Sequence, residues 1–255
     1  MSTGVPPVFD HMERGLFIAA SGMLAELERQ QRIASDLANV STPGYKRDRV
    51  SQQGFSELLL SNQATGEVVG ELGSGPTAIT VETDLTQAAL RDTGEPLTIA
   101  LQGEGALVVQ TPAGPQYTRD GQLTLDGGGR LVNAQGFALL GEGGAEITVT
   151  GSGPITIDQD GTVSRDSTVA GQIAVVTLAN VSKSGEGLLL GTPGPRPEAT
   201  TVRQGQLESS AVNAARSMVD MMTSLRAFEA SQRVVRTIDE TLGRGIAAGS
   251  ARGSG

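Results

Sequence analysis

The chain has 255 residues and a formal net charge of −9, with no cysteine and a single histidine, His11. These counts exclude disulfides, thiolate catalysis, cysteine-ligated metal sites and multi-histidine zinc centres. The acidic balance argues against a general nucleic-acid binder, because phosphate affinity comes from lysine and arginine. Aromatic residues are only 3% and glycines number 35, so we expect a core of aliphatic side chains between many tight turns.

The first predicted element is a helix from Glu13 to Asn39, preceded by a flexible leader over residues 1–12. Its apolar side chains recur at spacings of three and four, as in a coiled-coil contact. We call this set the N-terminal stripe: Leu16, Ala20, Met23, Leu27, Gln30, Ala34 and Leu37. The helix is predicted to stop at Asn39, because Pro43 and Gly44 favour a turn.

The segment Leu16–Leu24 has the length of a signal-peptide core, but acidic residues precede it and the stripe continues beyond it. We therefore expect a mature helix and no cleaved signal peptide. No run approaches the roughly 18 apolar residues that span a bilayer, so we expect no membrane-spanning segment.

Residues 46–76 are predicted to be a connector, with a short helix around Phe55–Leu60. The charged run Lys46, Arg47 and Arg49, interrupted by Asp48, is predicted to be a solvated loop.

From residue 77 to residue 204, apolar and polar positions alternate in short segments, which indicates an all-β domain. We expect the glycines of the turn signals to adopt positive φ; these signals are Asp120-Gly121, Asp126-Gly127, Gly143-Gly144 and Asp160-Gly161.

A second helix is predicted from Ala214 to Leu242, with Asn213 as its N-cap and with Gly243 and Gly245 ending it. Its apolar positions form a C-terminal stripe: Met218, Met221, Leu225, Phe228, Gln232, Val235, Ile238 and Leu242. Residues 13–45 and 205–245 are thus predicted to form one discontinuous, coiled-coil-like domain, followed by a flexible tail over residues 246–255. The fold class is α+β, with the all-β domain in the centre. The alternative is that the helices pack on each other or on the β region inside a monomer.

Catalytic and ligand-binding motifs are weak in this sequence. Asp158-Gln-Asp160-Gly161 is similar to the opening of a calcium loop, but the further acidic ligands are missing at the required spacing, which favours a hairpin turn. Gly103-Glu-Gly105 lacks the third glycine and the helix of a phosphate-binding loop, and His11 has no partner at a catalytic spacing. We expect neither an enzyme nor a cofactor. The alternative from another class is a calcium- or glycan-dependent β-domain enzyme or adhesin.

Three parts of the chain resemble motifs of one protein family. The N-terminal part reads Gly15-Leu-Phe-Ile-Ala-Ala-Ser-Gly-Met23 and Asp36-Leu-Ala-Asn-Val-Ser-Thr-Pro-Gly-Tyr-Lys46. The C-terminal part reads Gln204-Gly-Gln-Leu-Glu-Ser-Ser-Ala-Val-Asn213, Leu225-Arg-Ala-Phe-Glu-Ala230 and Thr237-Ile-Asp-Glu-Thr-Leu242, and the middle contains Gly103-Glu-Gly-Ala-Leu-Val-Val109, Tyr117-Thr-Arg-Asp-Gly121 and Leu131-Val-Asn133. Together they resemble the bacterial flagellar rod, hook and hook-associated axial proteins. Ser35-Asp36 and Ala215-Arg216 depart from the family pattern, and we expect them to alter particular subunit contacts.

The resemblance implies a non-enzymatic building block of the flagellar rod, exported unfolded by the flagellar type III apparatus and assembled in the periplasm. Implied partners are copies of itself, other rod and hook proteins, the export apparatus and the rings around the rod. The first 46 residues favour the distal rod, and a proximal or paralogous axial protein is the alternative. We expect subunit contacts at Leu16, Ala20, Met23, Leu27, Leu37, Asn39, Pro43, Gly44, Asn213, Met218, Met221, Leu225, Phe228, Val235, Ile238 and Leu242.

Overall fold

The structure is a computed structural model that describes residues 7–53, 58–61, 68–72, 78–185 and 187–252, with side chains described for 15–49, 82–185 and 187–244. It divides into two compact units. The first takes the described residues within 1–35, 50–81 and 215–255, and the second takes residues 36–49 and those described within 82–214. A helix near each end of the chain and a mostly β central region make the fold α+β, as predicted.

The two helices are longer than predicted. Helix α1 (Pro7–Ala38) begins six residues before the predicted Glu13, because proline is tolerated in the first turn of a helix. Helix α2 (Ala214–Arg252) begins at the predicted residue but continues ten residues beyond Leu242. The prediction that Gly243 and Gly245 end it was wrong, since an interior glycine costs only about 1 kcal/mol relative to alanine. No helix within the described ranges is long and apolar enough to cross a membrane.

Within the first unit, the contacts between α1 and α2 include small residues, polar side chains and one large apolar side chain, that of Ile238. A Cβ placed on Gly22 would lie 3.9 Å from Ser231 Oγ, and Ser224 Oγ donates a hydrogen bond to Glu26 Oε2 at 2.6 Å. The contacts pair residues in reverse order along the two helices: Gly15 with Ile238, Gly22 with Ser231, and Glu26 with Ser224. The helices therefore run antiparallel.

The described residues contain nineteen short strands. They are β1 (Asp48–Gln53), β2 (Leu58–Ser61), β3 (Val68–Leu72), β4 (Ala78–Thr83), β5 (Leu90–Asp92), β6 (Ile99–Gln102), β7 (Ala106–Thr111), β8 (Gly114–Thr118), β9 (Leu123–Leu125), β10 (Leu131–Asn133), β11 (Ala138–Leu139), β12 (Ile155–Ile157), β13 (Thr162–Arg165), β14 (Thr168–Gln172), β15 (Val175–Val176), β16 (Leu178–Gly185), β17 (Leu188–Pro193), β18 (Thr201–Gln204) and β19 (Gln206–Glu208).

The second unit contains an eight-stranded sheet, in the order β16-β17-β8-β7-β11-β10-β9 with β15 also paired to β7. Strands β12-β13-β14 form a second sheet, and two-strand pairs join β6 to β18, β5 to β19, β1 to β4 and β2 to β3. The main core is aliphatic, as the composition predicted; among its most buried members are Ile99, Val109, Leu131, Leu139, Val163 and Ile173.

Two local predictions for the β region need correction. Residues 58–60 belong to strand β2 rather than to a helix around Phe55–Leu60, and the remainder of that predicted helix, 55–57, lies outside the described residues. Positive φ is confirmed at Gly144 and Gly161 but not at Gly121 or Gly127. Gly121 is needed for a different reason, because a Cβ there would overlap the carbonyl oxygen of Ile99.

Candidate functional site

The turn after α1 joins the last strand of the second unit. Gly44 N donates to the carbonyl oxygen of Glu208 at 2.8 Å, and Ala211 N donates to that of Tyr45 at 2.9 Å. Gly44 has a φ of 66°, and a Cβ there would overlap the backbone of Arg119. The N-terminal turn, the strand β19 and the segment after β8 therefore meet at one point, which we call the junction.

The Glu208 carboxylate lies at the centre of the junction and is fully buried. Its Oε1 accepts from Lys46 Nζ at 2.5 Å and from Ala88 N at 2.7 Å. Its Oε2 accepts from Arg119 Nη1 at 3.1 Å. One carboxylate thus contacts three segments that are 89 to 162 positions away along the chain.

The two cations of the junction are satisfied by backbone oxygens as well as by Glu208. Lys46 Nζ donates to the carbonyl oxygen of Thr86 at 2.7 Å. Arg119 donates through Nη2 to Gly103 O at 2.8 Å and through Nε to Gly105 O. Gly103 and Gly105 have φ values of 123° and 108°, so the Gly-Glu-Gly motif serves to present carbonyl oxygens to the guanidinium.

The junction is buried enough to disturb proton affinity. Lys46 is only 2% exposed, and this burial lowers the pKa of its ammonium, although Glu208 acts in the opposite direction. The prediction that Lys46 lies in a solvated loop was therefore wrong, whereas Arg49 is largely exposed. A buried ion pair is costly to break, because removing one partner leaves an uncompensated charge.

A second group of charges lies at the end of α1. Tyr45 Oη donates to Asp36 Oδ1 at 2.9 Å and accepts from Lys183 Nζ at 2.8 Å. Lys183 Nζ also lies 3.2 Å from Asp48 Oδ1 and 3.7 Å from Asp36 Oδ1. Burial raises the pKa of the Asp36 carboxyl, while the Tyr45 hydroxyl and the Lys183 ammonium oppose that rise.

The arrangement joins chain segments and presents no reacting group. A cleft of about 620 Å³ opens beside the junction, and two arginines on its wall are paired: Arg49 with Asp84 and Arg119 with Glu208. Within the described residues no three His, Cys, Asp or Glu side chains are grouped so that they could hold a metal ion.

The predicted calcium-like segment is a hairpin turn between β12 and β13. Both oxygens of Asp160 are engaged locally: Oδ1 accepts from Thr162 N and Oδ2 from Thr162 Oγ1, each at 2.9 Å. Gly161 follows with a φ of 87°. The carboxylate thus stabilises the turn, which explains the Asp-Gly spacing without a ligand.

The N-terminal stripe lies beside the helix contact rather than in it. Successive residues turn by roughly 100° around a helix, so the contact side of α1 is the line through Gly15, Gly22 and Glu26. Leu16 and Leu27 lie roughly a quarter to a third of a turn away from that line and are 38% and 43% exposed. The first half of the stripe therefore presents large apolar side chains to solvent in this chain.

The C-terminal stripe likewise has some members near the helix contact and others beside it. Ser224 and Ser231 occupy the contact side of α2. Met221, Phe228, Val235, Ile238 and Leu242 are half-buried, whereas Met218 and Leu225 lie roughly 100° to 120° away from the contact and are 50% and 43% exposed. Neither serine was predicted, because the apolar periodicity pointed to their larger neighbours.

The exposed parts of both stripes lie on one side of the helix pair. On each helix, the exposed stripe residues are rotated by about 100° to 120° from the contact line, in the direction in which the helix winds towards its C-terminus. Because the two helices are antiparallel, this rotation places the exposed residues of α1 and α2 on the same side of the pair. We call Leu16, Leu27, Met218 and Leu225 the shared apolar face. The two helices also expose apolar side chains outside this face, among them Leu24 and Met222, and exposed apolar surface is typical of protein–protein contacts.

The remaining predicted contact residues lie in or near the elements already described. Ala20, Met23, Leu37 and Pro43 are half-buried, and Asn213 is exposed immediately before α2. Asn39 lies in the turn, where its Oδ1 accepts from Thr42 Oγ1 at 3.2 Å. Their part in contacts between subunits stays a prediction.

Family models match two stretches of the chain. One, described as the C-terminal part of the flagellar basal body rod FlgEFG proteins, matches residues 203–248. The other, described as the D1 domain of the flagellar hook proteins FlgE/F/G, matches residues 100–165. The second match includes Arg119 and the glycines that bind it, and the first includes Glu208 and most of α2.

Several curated proteins are similar to nearly the whole chain. The flagellar basal-body rod protein FlgF of Escherichia coli strain K12 is 34% identical over 253 residues, which cover 91% of this chain and 97% of the relative. The flagellar basal-body rod protein FlgG of Bacillus subtilis strain 168 is 30% identical over 256 residues, with the same two coverages. FlgF of Caulobacter vibrioides is 28% identical over 241 residues, covering 90% of this chain and 94% of the relative.

Proposed function

The chain belongs to the flagellar basal-body rod protein family, and on that basis we propose that it polymerises through its terminal helices into the axial drive shaft of the rod. The family is structural, so the chain is a structural protein of the basal body and not an enzyme. It assembles with other axial proteins of the flagellum.

The shared apolar face is the observation that carries this proposal. Leucine and methionine side chains gain roughly 1.5–3 kcal/mol each when they are fully buried, and the shared apolar face exposes four of them on one side of a helix pair. Burial against helices of neighbouring copies would remove this surface from water. Because an open helical stack needs two different complementary surfaces, the partner side of the contact is a different part of the neighbour.

The finer parts of the proposal rest on the sequence resemblance. It favours the distal rod, with the proximal rod as the alternative, and both FlgG and FlgF are among the relatives. We further propose that the helices form a coiled-coil-like layer in the rod, that the chain reaches the periplasm through the flagellar export apparatus without a cleaved signal, and that ring proteins surround it there.

Leu225→Asp tests the polymerisation surface. Leu225 is 43% exposed in the single chain, so the substitution should leave the unfolding transition of the purified protein unchanged within about 0.5 kcal/mol. In an assembled contact the new carboxylate would be buried without a partner, which costs several kcal/mol. We therefore expect cells that carry this variant to lack functional rods, as measured by swimming and by isolation of basal bodies.

Leu225→Met is the matched control, because it keeps an apolar side chain of similar volume, and it should build rods. Rods built normally by Leu225→Asp would contradict the assignment of this face. If Leu225→Met also failed to build rods, the position would tolerate no substitution. The loss of rods in Leu225→Asp could then not be attributed to the buried charge.

A further inference from the structure

Lysine is scarce in this chain, and the ammonium groups of both lysines contact residues of the N-terminal turn or of the junction beside it. Of 19 lysine and arginine residues only Lys46 and Lys183 are lysines. Lys46 is the buried cation of the junction. Lys183 lies on β16, and its ammonium contacts the turn that follows α1.

The surroundings of Lys183 are more complete than those of an ordinary surface ion pair. Its Nζ is within 2.8 Å of Tyr45 Oη, 3.2 Å of Asp48 Oδ1 and 3.7 Å of Asp36 Oδ1, and it lies 4.2 Å from the centre of the Tyr45 ring. The Lys183 side chain is 21% exposed, and those of Asp36 and Asp48 are 13% and 7% exposed. Several acceptors and an aromatic face hold one ammonium.

The end of α1 needs this charge. Helix C-termini carry partial negative charge from their unpaired carbonyl groups and are stabilised by cations, yet the last turn of α1 contains no basic residue. It contains Asp36 instead, and Asp48 lies close enough to Asp36 to repel it. The positive charge is therefore supplied by a strand 138 positions beyond Tyr45.

We propose that Lys183 is a positioning residue, a charged clasp that holds the end of α1 and the turn 39–48 against the β16–β17 hairpin. Its positive charge is what matters, because the aliphatic stem alone cannot compensate two carboxylates and a helix end. The clasp acts on residues 36–48 and 178–185. It does not depend on the proposed polymerisation, and it is tested on the isolated full-length chain.

The scarcity of lysine makes a direct measurement available. An amine-reactive N-hydroxysuccinimide ester can modify only Lys46, Lys183 and the chain's α-amino group, and mass spectrometry separates the three products. We expect Lys183 in the folded chain to react at least roughly tenfold more slowly than in the urea-unfolded chain, because its ammonium must leave the clasp first. Lys46, which is buried, reports global unfolding in the same sample.

Two variants separate the clasp from general stabilisation. Asp36→Asn combined with Asp48→Asn should speed the labelling of Lys183 while Lys46 stays protected. Lys183→Met keeps the stem and removes the charge; it should raise the amide hydrogen exchange of residues 39–48 and 178–185, without changing that of residues 99–109. Lys183→Arg should restore part of the protection.

Each other outcome overturns the inference. Labelling of Lys183 in the folded chain as fast as in urea would show that the clasp is open. Unchanged exchange in Lys183→Met would show that the charge positions nothing. An equal rise in exchange at residues 99–109 would show a general effect on stability instead of a local one.

Discussion

At the scale of single residues, Glu208 holds the junction together, and Glu208→Gln tests how strongly. The variant keeps the shape of the side chain but leaves the buried cations Lys46 and Arg119 without their counter-charge. Removal of one partner from a buried ion pair costs about 3–5 kcal/mol, and we expect a loss of that size in the free energy of unfolding by urea.

Glu198→Gln is the matched control, because Glu198 is exposed and should change stability by less than about 0.5 kcal/mol. Equal effects of the two substitutions would refute a central role for Glu208.

Asp120 provides a pH-dependent test. Its pKa is raised because the carboxyl is buried, so between pH 3.8 and the raised value the folded state binds more protons than the unfolded chain. Stability therefore falls as the pH rises through this window, and the charged form costs stability at pH 7. Asp120→Asn keeps the oxygen that accepts from Gln122 N at 3.0 Å. We expect the variant to be more stable than wild type at pH 7, with a difference that shrinks as the pH falls towards 4.

Asp160→Asn should behave in the opposite way. Hydrogen bonds from the amide and hydroxyl of Thr162 hold the pKa of Asp160 below its ordinary value, so its contribution is present at neutral pH and lost in acid. The variant should be less stable than wild type at pH 7 and equal to it at low pH. Urea titrations from pH 3 to pH 7 measure both differences, and the same sign for both variants would contradict this account.

At the scale of elements, the turn after α1 requires glycine at position 44 for two reasons, its positive φ and its close contact with the Arg119 backbone. Gly44 and Gly94 have nearly the same φ, 66° and 70°, but a Cβ on Gly94 meets nothing within 4 Å whereas one on Gly44 overlaps the Arg119 backbone. Gly94→Ala should therefore cost only the left-handed strain of about 1–2 kcal/mol. Gly44→Ala should cost about 1–3 kcal/mol more, because the backbone must shift.

Thermal or urea unfolding of the two alanine variants measures this difference. Similar losses of stability would show that the turn conformation alone, and not the contact with Arg119, explains Gly44.

The helices show how far periodicity predicts structure and where it fails. Spacings of three and four predicted both helices and the start of α2 correctly, because local sequence determines helical periodicity. They identified the contact side only in part, since one stripe residue, Ile238, lies against α1 at Gly15. The helices meet at Gly22, Ser224 and Ser231, since small side chains let backbones approach, whereas the larger stripe residues Leu16 and Leu225 lie beside the contact.

Local sequence patterns also failed to predict the buried ion pairs of the junction. Within residues 46–49 the charges look like those of a solvated loop, because nothing nearby in sequence contacts Lys46. Its partner Glu208 is 162 positions away, and tertiary contacts, among them the hydrogen bond from Gly44 N to Glu208 O, bring that carboxylate to the N-terminal turn. The presence of only two lysines among 19 cationic residues was a signal in the composition that could have singled out both positions.

At the scale of the whole molecule, the boundary between the two units falls inside the N-terminal motif. Residues 36–49 belong to the second unit, where Lys46 completes the junction. Deletion of residues 1–35 should therefore leave the urea midpoint of the β region nearly unchanged. Deletion of residues 1–46 removes Lys46 and the Gly44 contact, and should lower that midpoint. Equal midpoints for the two truncated chains would contradict the assignment of the turn to the β unit.

If the terminal helices drive polymerisation, the shared apolar face, exposed in the single chain, must be covered in the rod. A density map of an intact basal body from electron cryomicroscopy, with this chain traced in place, measures that directly. We predict that Leu16, Leu27, Met218 and Leu225 contact helices of neighbouring axial subunits and that less than about a tenth of each side chain is exposed. A traced chain in which these four side chains face solvent would contradict polymerisation through the terminal helices.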